Sequence, residues 1–212
     1  MIGAFALAAF YAPEDADQGV IQKIFYVHVP MAIVTLCGFM AAGIFAIKHL
    51  RTCDRSWDMR SYVAIHLSIM LGVGVLLTGA IWARTAWGHW WVWDEPVLVS
   101  YLIVFLLYCC YQPLRFSIGD PERQSRYASV FAITAGAFVP LNFVAVRLAE
   151  QYTHPRVLSE TGGNLPGDMR LTFLVCIAAV ALLFTTLWKL ELTNKHTSEQ
   201  LKRLRRRLEA QV

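Results

Sequence analysis

The chain has 212 residues, 57% hydrophobic and 16% charged, with a mean hydropathy of +0.46. Soluble domains carry about 25% charged residues, so this composition excludes an ordinary soluble domain and points to a membrane protein. The net charge of +4 is modest, and outside the C-terminal tail the basic residues form no stripe of the kind that binds nucleic acid.

The first apolar run, Met1 to Tyr11, is short. Eleven helical residues span about 16 Å, roughly half of a hydrocarbon core. It reads either as a re-entrant stub or as the end of a span whose true N-terminus lies upstream. The second run, Val29 to Ile47, is long enough to cross. Pro30 in "FYVHVP" suits the first turn of that helix. His28 then lies near the positive end of the helix dipole, which favours a neutral, metal-competent imidazole. Taken alone, His28 reads more readily as a capping or interfacial residue that binds nothing.

Val63 to Ala83 forms the third run. After it comes "WGHWWVWD", Trp87 to Asp94, and five of the seven Trp fall between Trp82 and Trp93. An interfacial aromatic belt explains one or two Trp per helix end, such as Trp82 and Trp188. It does not explain Trp87, Trp90, Trp91 and Trp93 together, because neighbouring rings cannot all enter one lipid face. Gly88 supplies a point where the backbone turns or approaches a ligand closely. Clustered indoles suit a large, flat, apolar partner, and a porphyrin is one. Its iron accepts His nitrogens from two sides. Asp94 suits orientation of the loop or a partner, and Arg84 suits a propionate or a headgroup.

The fourth run, Val97 to Tyr111, gains a turn if Pro96 starts its helix. Ser129 to Leu148 is the fifth, with Pro140 as an expected kink. Beyond it His154 lies in "QYTHPR", by itself an ordinary loop histidine. Leu171 to Leu190 is the sixth. Residues 191–212 read as a separate basic amphipathic tail. Thr197 and Gln200 have capping-box spacing, and Leu201, Leu204 and Leu208 share a face. The tail suits the anionic inner leaflet or a cytoplasmic partner.

Lys and Arg set the orientation. Lys48, Arg51, Arg55 and Arg60 follow the second run. Arg115, Arg123 and Arg126 follow the fourth, and six basic residues fill the tail. The alternate loops hold few. Both termini therefore face inward, and the Trp loop faces out, with His28 and His154 at its own depth. The five cysteines, Cys37, Cys53, Cys109, Cys110 and Cys176, form no C-x-x-C pair. A disulfide framework is not expected. The fold expected is an all-α integral membrane bundle of about six spans: 1–11, 29–47, 63–83, 96–111, 129–148 and 171–190.

Trp87-Gly88, Trp91 and Trp93-Asp94 match the W-G-x-x-W-x-W-D signature of membrane haem-handling proteins. With the H-V-P opening of the second span and an outer His after the fifth, the chain resembles the haem exporter protein C (CcmC) family of cytochrome c maturation. That resemblance runs from about Val20 to the end of the sixth span. It implies a carrier of haem b rather than an enzyme. Such a carrier sits in the bacterial inner membrane and loads the haem chaperone CcmE on the periplasmic side, alongside CcmA, CcmB and CcmD.

By position, His28 and His154 become the axial ligands. Trp87, Gly88, Trp90, Trp91, Trp93 and Asp94 become the haem platform and docking loop. The family's usual basic residue after the motif is replaced by Glu95-Pro96. Gly162, Gly163 and Gly167 mark the segment from Ala149 to Met169 as able to flex. A synthetase-type haem protein would need more spans and histidines than this chain carries. A transport permease would need charges in mid-membrane, and the middles of these runs lack them.

Overall fold

The computed structural model describes residues 1–15, 18–148 and 167–209. Within these it is an all-helical bundle. Five helices are long and apolar enough to cross a membrane, and a sixth, short apolar helix precedes them. In lipid every backbone polar group must be satisfied within its own segment, and a helix does so.

Helix α1, Ile2–Ala6, runs on into a π-helical turn, Leu7–Tyr11. A 3-10 turn, Val20–Ile24, leads into α2, Phe25–Thr52. Cys53, in the left-handed region at φ 55°, ends α2. Asp54 then opens α3, Arg55–Trp87, by accepting from the backbone N–H of Ser56 at 2.8 Å. That N–H and the Ser56 hydroxyl hold the Asp54 carboxyl below the usual carboxylate range, so the cap stays charged at neutral pH.

Pro96 occupies the first position of α4, Pro96–Cys109, as expected. Helix α5, Tyr111–Ser117, continues it, so that the span reaches 22 residues. Helix α6, Pro121–Leu148, carries Pro140 inside it, and α7, Gly167–Glu209, has 43 residues.

Two expectations need correction. Pro30 lies inside α2, not in its first turn, because helical backbone already begins at Val20. The 3-10 turn over Val20–Ile24 runs directly into α2, so the unsatisfied N–H groups that carry the positive end of the dipole lie ahead of His28 rather than beside it. The tail is not a separate helix either. Thr197 and Gln200 lie inside α7, which runs from its apolar span to Glu209 without a break. Leu201, Leu204 and Leu208 stay exposed along it.

The core forms where α2, α3, α4 and α6 meet. Phe39 and Tyr108 stack at 3.8 Å between ring centroids, and the Tyr108 hydroxyl donates to the Phe39 carbonyl at 3.1 Å. Between α2 and α3 the backbones come close. Ser61 donates to the Ala42 carbonyl at 2.9 Å, and a Cβ on Gly38 would overlap the Ser68 hydroxyl.

At the end of the bundle rich in Lys and Arg, Arg115 makes two 2.7 Å bonds to the Asp58 carboxylate and a third to the Tyr111 hydroxyl at 3.0 Å. Both charged side chains are about nine-tenths buried. Removing one partner of such a pair strands the other charge. Asp58→Ala is expected to cost about 3–5 kcal/mol of stability, whereas Asp58→Leu with Arg115→Met recovers most of it. Chemical unfolding in detergent measures both. Equal losses in the single and double variants would show that the charge pair is not what matters.

Candidate functional site

The site is built on the opposite end of the α2–α3 hairpin. His28, one turn into α2, packs against the last third of α3. Its Nδ1 lies 3.0 Å from the Thr78 hydroxyl oxygen. Thr78 sends its own proton back along the helix, to the Gly74 carbonyl at 2.8 Å. With the Thr78 proton on the Gly74 carbonyl, the hydroxyl oxygen is an acceptor for the Nδ1-protonated tautomer of His28, whose neutral ring keeps its lone pair on Nε2. A ligating histidine is commonly oriented in this way, through the hydrogen bond made by its other nitrogen.

Gly79 and Trp82 complete the seat. A Cβ on Gly79 would lie 2.8 Å from His28 Cε1, so glycine is what lets the imidazole lie against the α3 backbone. Trp82 meets the imidazole edge to face at 5.8 Å. It is buried, and its Nε1–H donates to Gln18 at 2.8 Å. Trp82 is therefore not the interfacial belt residue the sequence suggested. Phe25 packs on Trp82 and stacks on Phe173 of α7 at 4.9 Å.

The Trp segment opens on the last residue of α3 rather than in a loop. Trp87 is helical, and Gly88 ends the helix at φ 79°, in a conformation that side-chain-bearing residues rarely adopt. Arg84 donates to the Gly88 carbonyl, and its guanidinium lies 6.0 Å from the centre of the Trp90 ring. It is tied into the loop. The indoles then divide. Trp90 and Trp93 are 61% and 72% exposed. Trp87 and Trp91 are half-buried, and Trp91 meets Trp93 edge to face at 6.0 Å. The Trp91 Nε1–H is buried and meets no acceptor among the described residues. His89 and Asp94 are exposed. Glu95, just before α4, is fully buried, so it does not take the surface place of the basic residue expected there.

His28 and the Trp loop do not share a depth. Thr78 precedes Trp87 by nine residues, about 13 Å of helix, so His28 sits well below the loop. His154 lies outside the described residues, as do Gly162 and Gly163. Among the described residues no group of three or more His, Cys, Asp or Glu comes together as a metal cage.

Sequence reading missed Thr78, Gly79, Trp82 and Gln18 as parts of the site. The spacing of Thr78 and Trp82 carried a usable signal, because residues four apart share one helix face.

The chain matches the family described as Heme exporter protein C over residues 1–207. It is 30% identical to the Heme exporter protein C of Bradyrhizobium diazoefficiens over 185 residues, 87% of this chain and 70% of the relative. It is 28% identical to that of Paracoccus denitrificans over 84% of this chain and 74% of the relative. A putative cytochrome c biosynthesis ccmC-like mitochondrial protein of Marchantia polymorpha is 29% identical over 83% of this chain and 74% of the relative.

Nitrogen-15 spectra of the histidine-labelled protein are expected to give His28 as the Nδ1-protonated tautomer, with Thr78→Val removing that preference. An Nε2-protonated His28 in the unaltered protein would contradict the hydrogen-bond assignment.

Proposed function

The chain belongs to the Heme exporter protein C family, multi-pass proteins of haem handling in cytochrome c maturation. From that membership we propose that it holds haem b at the Trp end of the bundle and presents it to CcmE. In this reading the Trp end faces the periplasm, and the chain works beside CcmA, CcmB and CcmD as a carrier without catalysis of its own.

The observation that carries the reading is the seat of His28. Thr78 takes the Nδ1 hydrogen, Gly79 makes room for the ring, and Trp82 closes one side. Iron binds imidazole through a nitrogen with a lone pair, and here that nitrogen is Nε2. His154 serves as the second axial ligand.

Because His28 lies about 13 Å below Trp87 along α3, the Trp loop meets an edge of the cargo, not its face. Trp87 and Trp91 then line that edge. Trp90 and Trp93, largely in solvent, offer apolar area to the chaperone. The Trp91 Nε1–H is a donor to cargo or chaperone. Asp94 orients the loop toward the partner.

Two experiments test separate parts of this reading. His28→Ala is expected to abolish the haem spectrum of the purified protein. Thr78→Val should weaken haem retention by about 10–100-fold, the usual effect of losing an outer-sphere partner. A spectrum unchanged in His28→Ala would remove that ligand. For the loop, Trp91→Ala should lower the haem transferred to co-expressed CcmE while leaving haem on the carrier itself. Undiminished transfer would dismiss the loop as a docking surface.

A further inference from the structure

A second cluster lies at the basic end of the bundle, where α2, α3 and α7 meet. It is formed by Phe45 and Lys48 of α2, Trp57 and Arg60 of α3, and Trp188 of α7. Phe45 packs between the two indoles, with its ring centre 5.8 Å from each. The Trp188 Nε1–H donates to the Arg60 carbonyl at 3.4 Å, which ties α7 to the start of α3.

Two cations then converge on one indole. Lys48 Nζ lies 4.3 Å from the centre of the Trp57 ring, and the Arg60 guanidinium carbon lies 4.4 Å from it. Each gains from the ring's quadrupole, yet each also brings a like charge close to the other.

The carboxylates nearby are committed elsewhere. Asp58 is held by Arg115 through two bonds, and Glu191 pairs with Lys195 at 3.1 Å. Asp54 caps α3 through the Ser56 N–H and hydroxyl. It feels Arg60 only as a weaker, longer-range charge. Lys48 and Arg60 form no ion pair with any described carboxylate. An anion from outside the chain would relieve their mutual repulsion.

We infer that Lys48 and Arg60, converging on Trp57, bind the phosphodiester of an anionic phospholipid at the basic end of the bundle. Basic residues between transmembrane helices at a lipid headgroup level take such phosphates. The acyl chain has a wall to follow. Ile44, one turn deeper along α2 from Lys48, is 53% exposed, and at the same level the Phe45 and Trp188 rings stack on each other. This apolar lining is what selects a lipid over a soluble phosphate.

The test uses the full chain in detergent, with palmitoyl-oleoyl phosphatidylglycerol and the matching phosphatidylcholine as probes. Native mass spectrometry counts the lipids retained. The unaltered protein should retain phosphatidylglycerol in preference, and Lys48→Gln with Arg60→Gln should reduce that preference by about tenfold or more. Arg51→Gln with Arg55→Gln, which alters two exposed cations of the same end, should leave it unchanged.

Brominated phosphatidylglycerol should quench tryptophan emission, and quench it less in Trp57→Phe. Lys48→Arg, which preserves the charge, should keep the preference and guards against a merely misfolded double variant. Equal retention of both lipids, or equal loss in the Arg51/Arg55 control, would overturn the site. Displacement of the lipid by millimolar inorganic phosphate would overturn its assignment to lipid.

Discussion

The close approach of α2 and α3 is the contact from which the rest of the molecule is arranged. Two long antiparallel helices, joined by the tight turn at Cys53 and Asp54, lie against each other over most of their length. Small side chains make this possible. Gly38 faces Ser68, Ser61 reaches the Ala42 carbonyl, and Gly79 accepts the imidazole of His28. In lipid the hydrophobic effect does not drive helices together, so close van der Waals packing and interhelical hydrogen bonds must. Both ends of the hairpin carry polar chemistry because its middle is so tightly closed. At one end sits the Asp58–Arg115 pair, at the other the seat of His28.

That seat differs from what a helix end alone provides. The sequence suggested that the start of α2 would set the state of His28. In the structure, helical backbone extends beyond the histidine, and a hydroxyl from the facing helix fixes the ring instead. A hydrogen bond from Nδ1 specifies which ring nitrogen keeps the lone pair. A dipole does not. The seat thus depends on the register between α2 and α3, and a one-residue slip would separate His28 from Thr78.

Much of this was legible in the chain itself. The apolar runs identified the helices, since a bilayer demands about 20 such residues in succession. Clustered Trp marked the loop, and "EP" marked the start of α4. What could not be read was anything that depended on two helices meeting. Thr78 is one of many hydroxyls in an apolar run. Its role follows only from its position opposite His28. Trp82 looked like a lipid-facing anchor, and turned out to be packed against Phe25 and His28. Arg115 entered only the count of charges that set orientation, and its burial against Asp58, 57 residues earlier in the chain, had no sign in the sequence. Helix lengths were also underestimated, because polar residues continue the backbone hydrogen-bonding past each apolar run.

The unbroken course of α7 has a mechanical consequence. At 1.5 Å per residue it is a rod of roughly 64 Å. Near one tip Asp168 accepts from the Tyr11 hydroxyl at 3.0 Å, while the other tip carries the arginines of the tail. Between them Trp188 bears on the hairpin, through the Phe45 ring and the Arg60 carbonyl. One continuous helix therefore joins the Tyr11 contact to the basic tail, with its first half held in the bundle by Phe173 and Cys176.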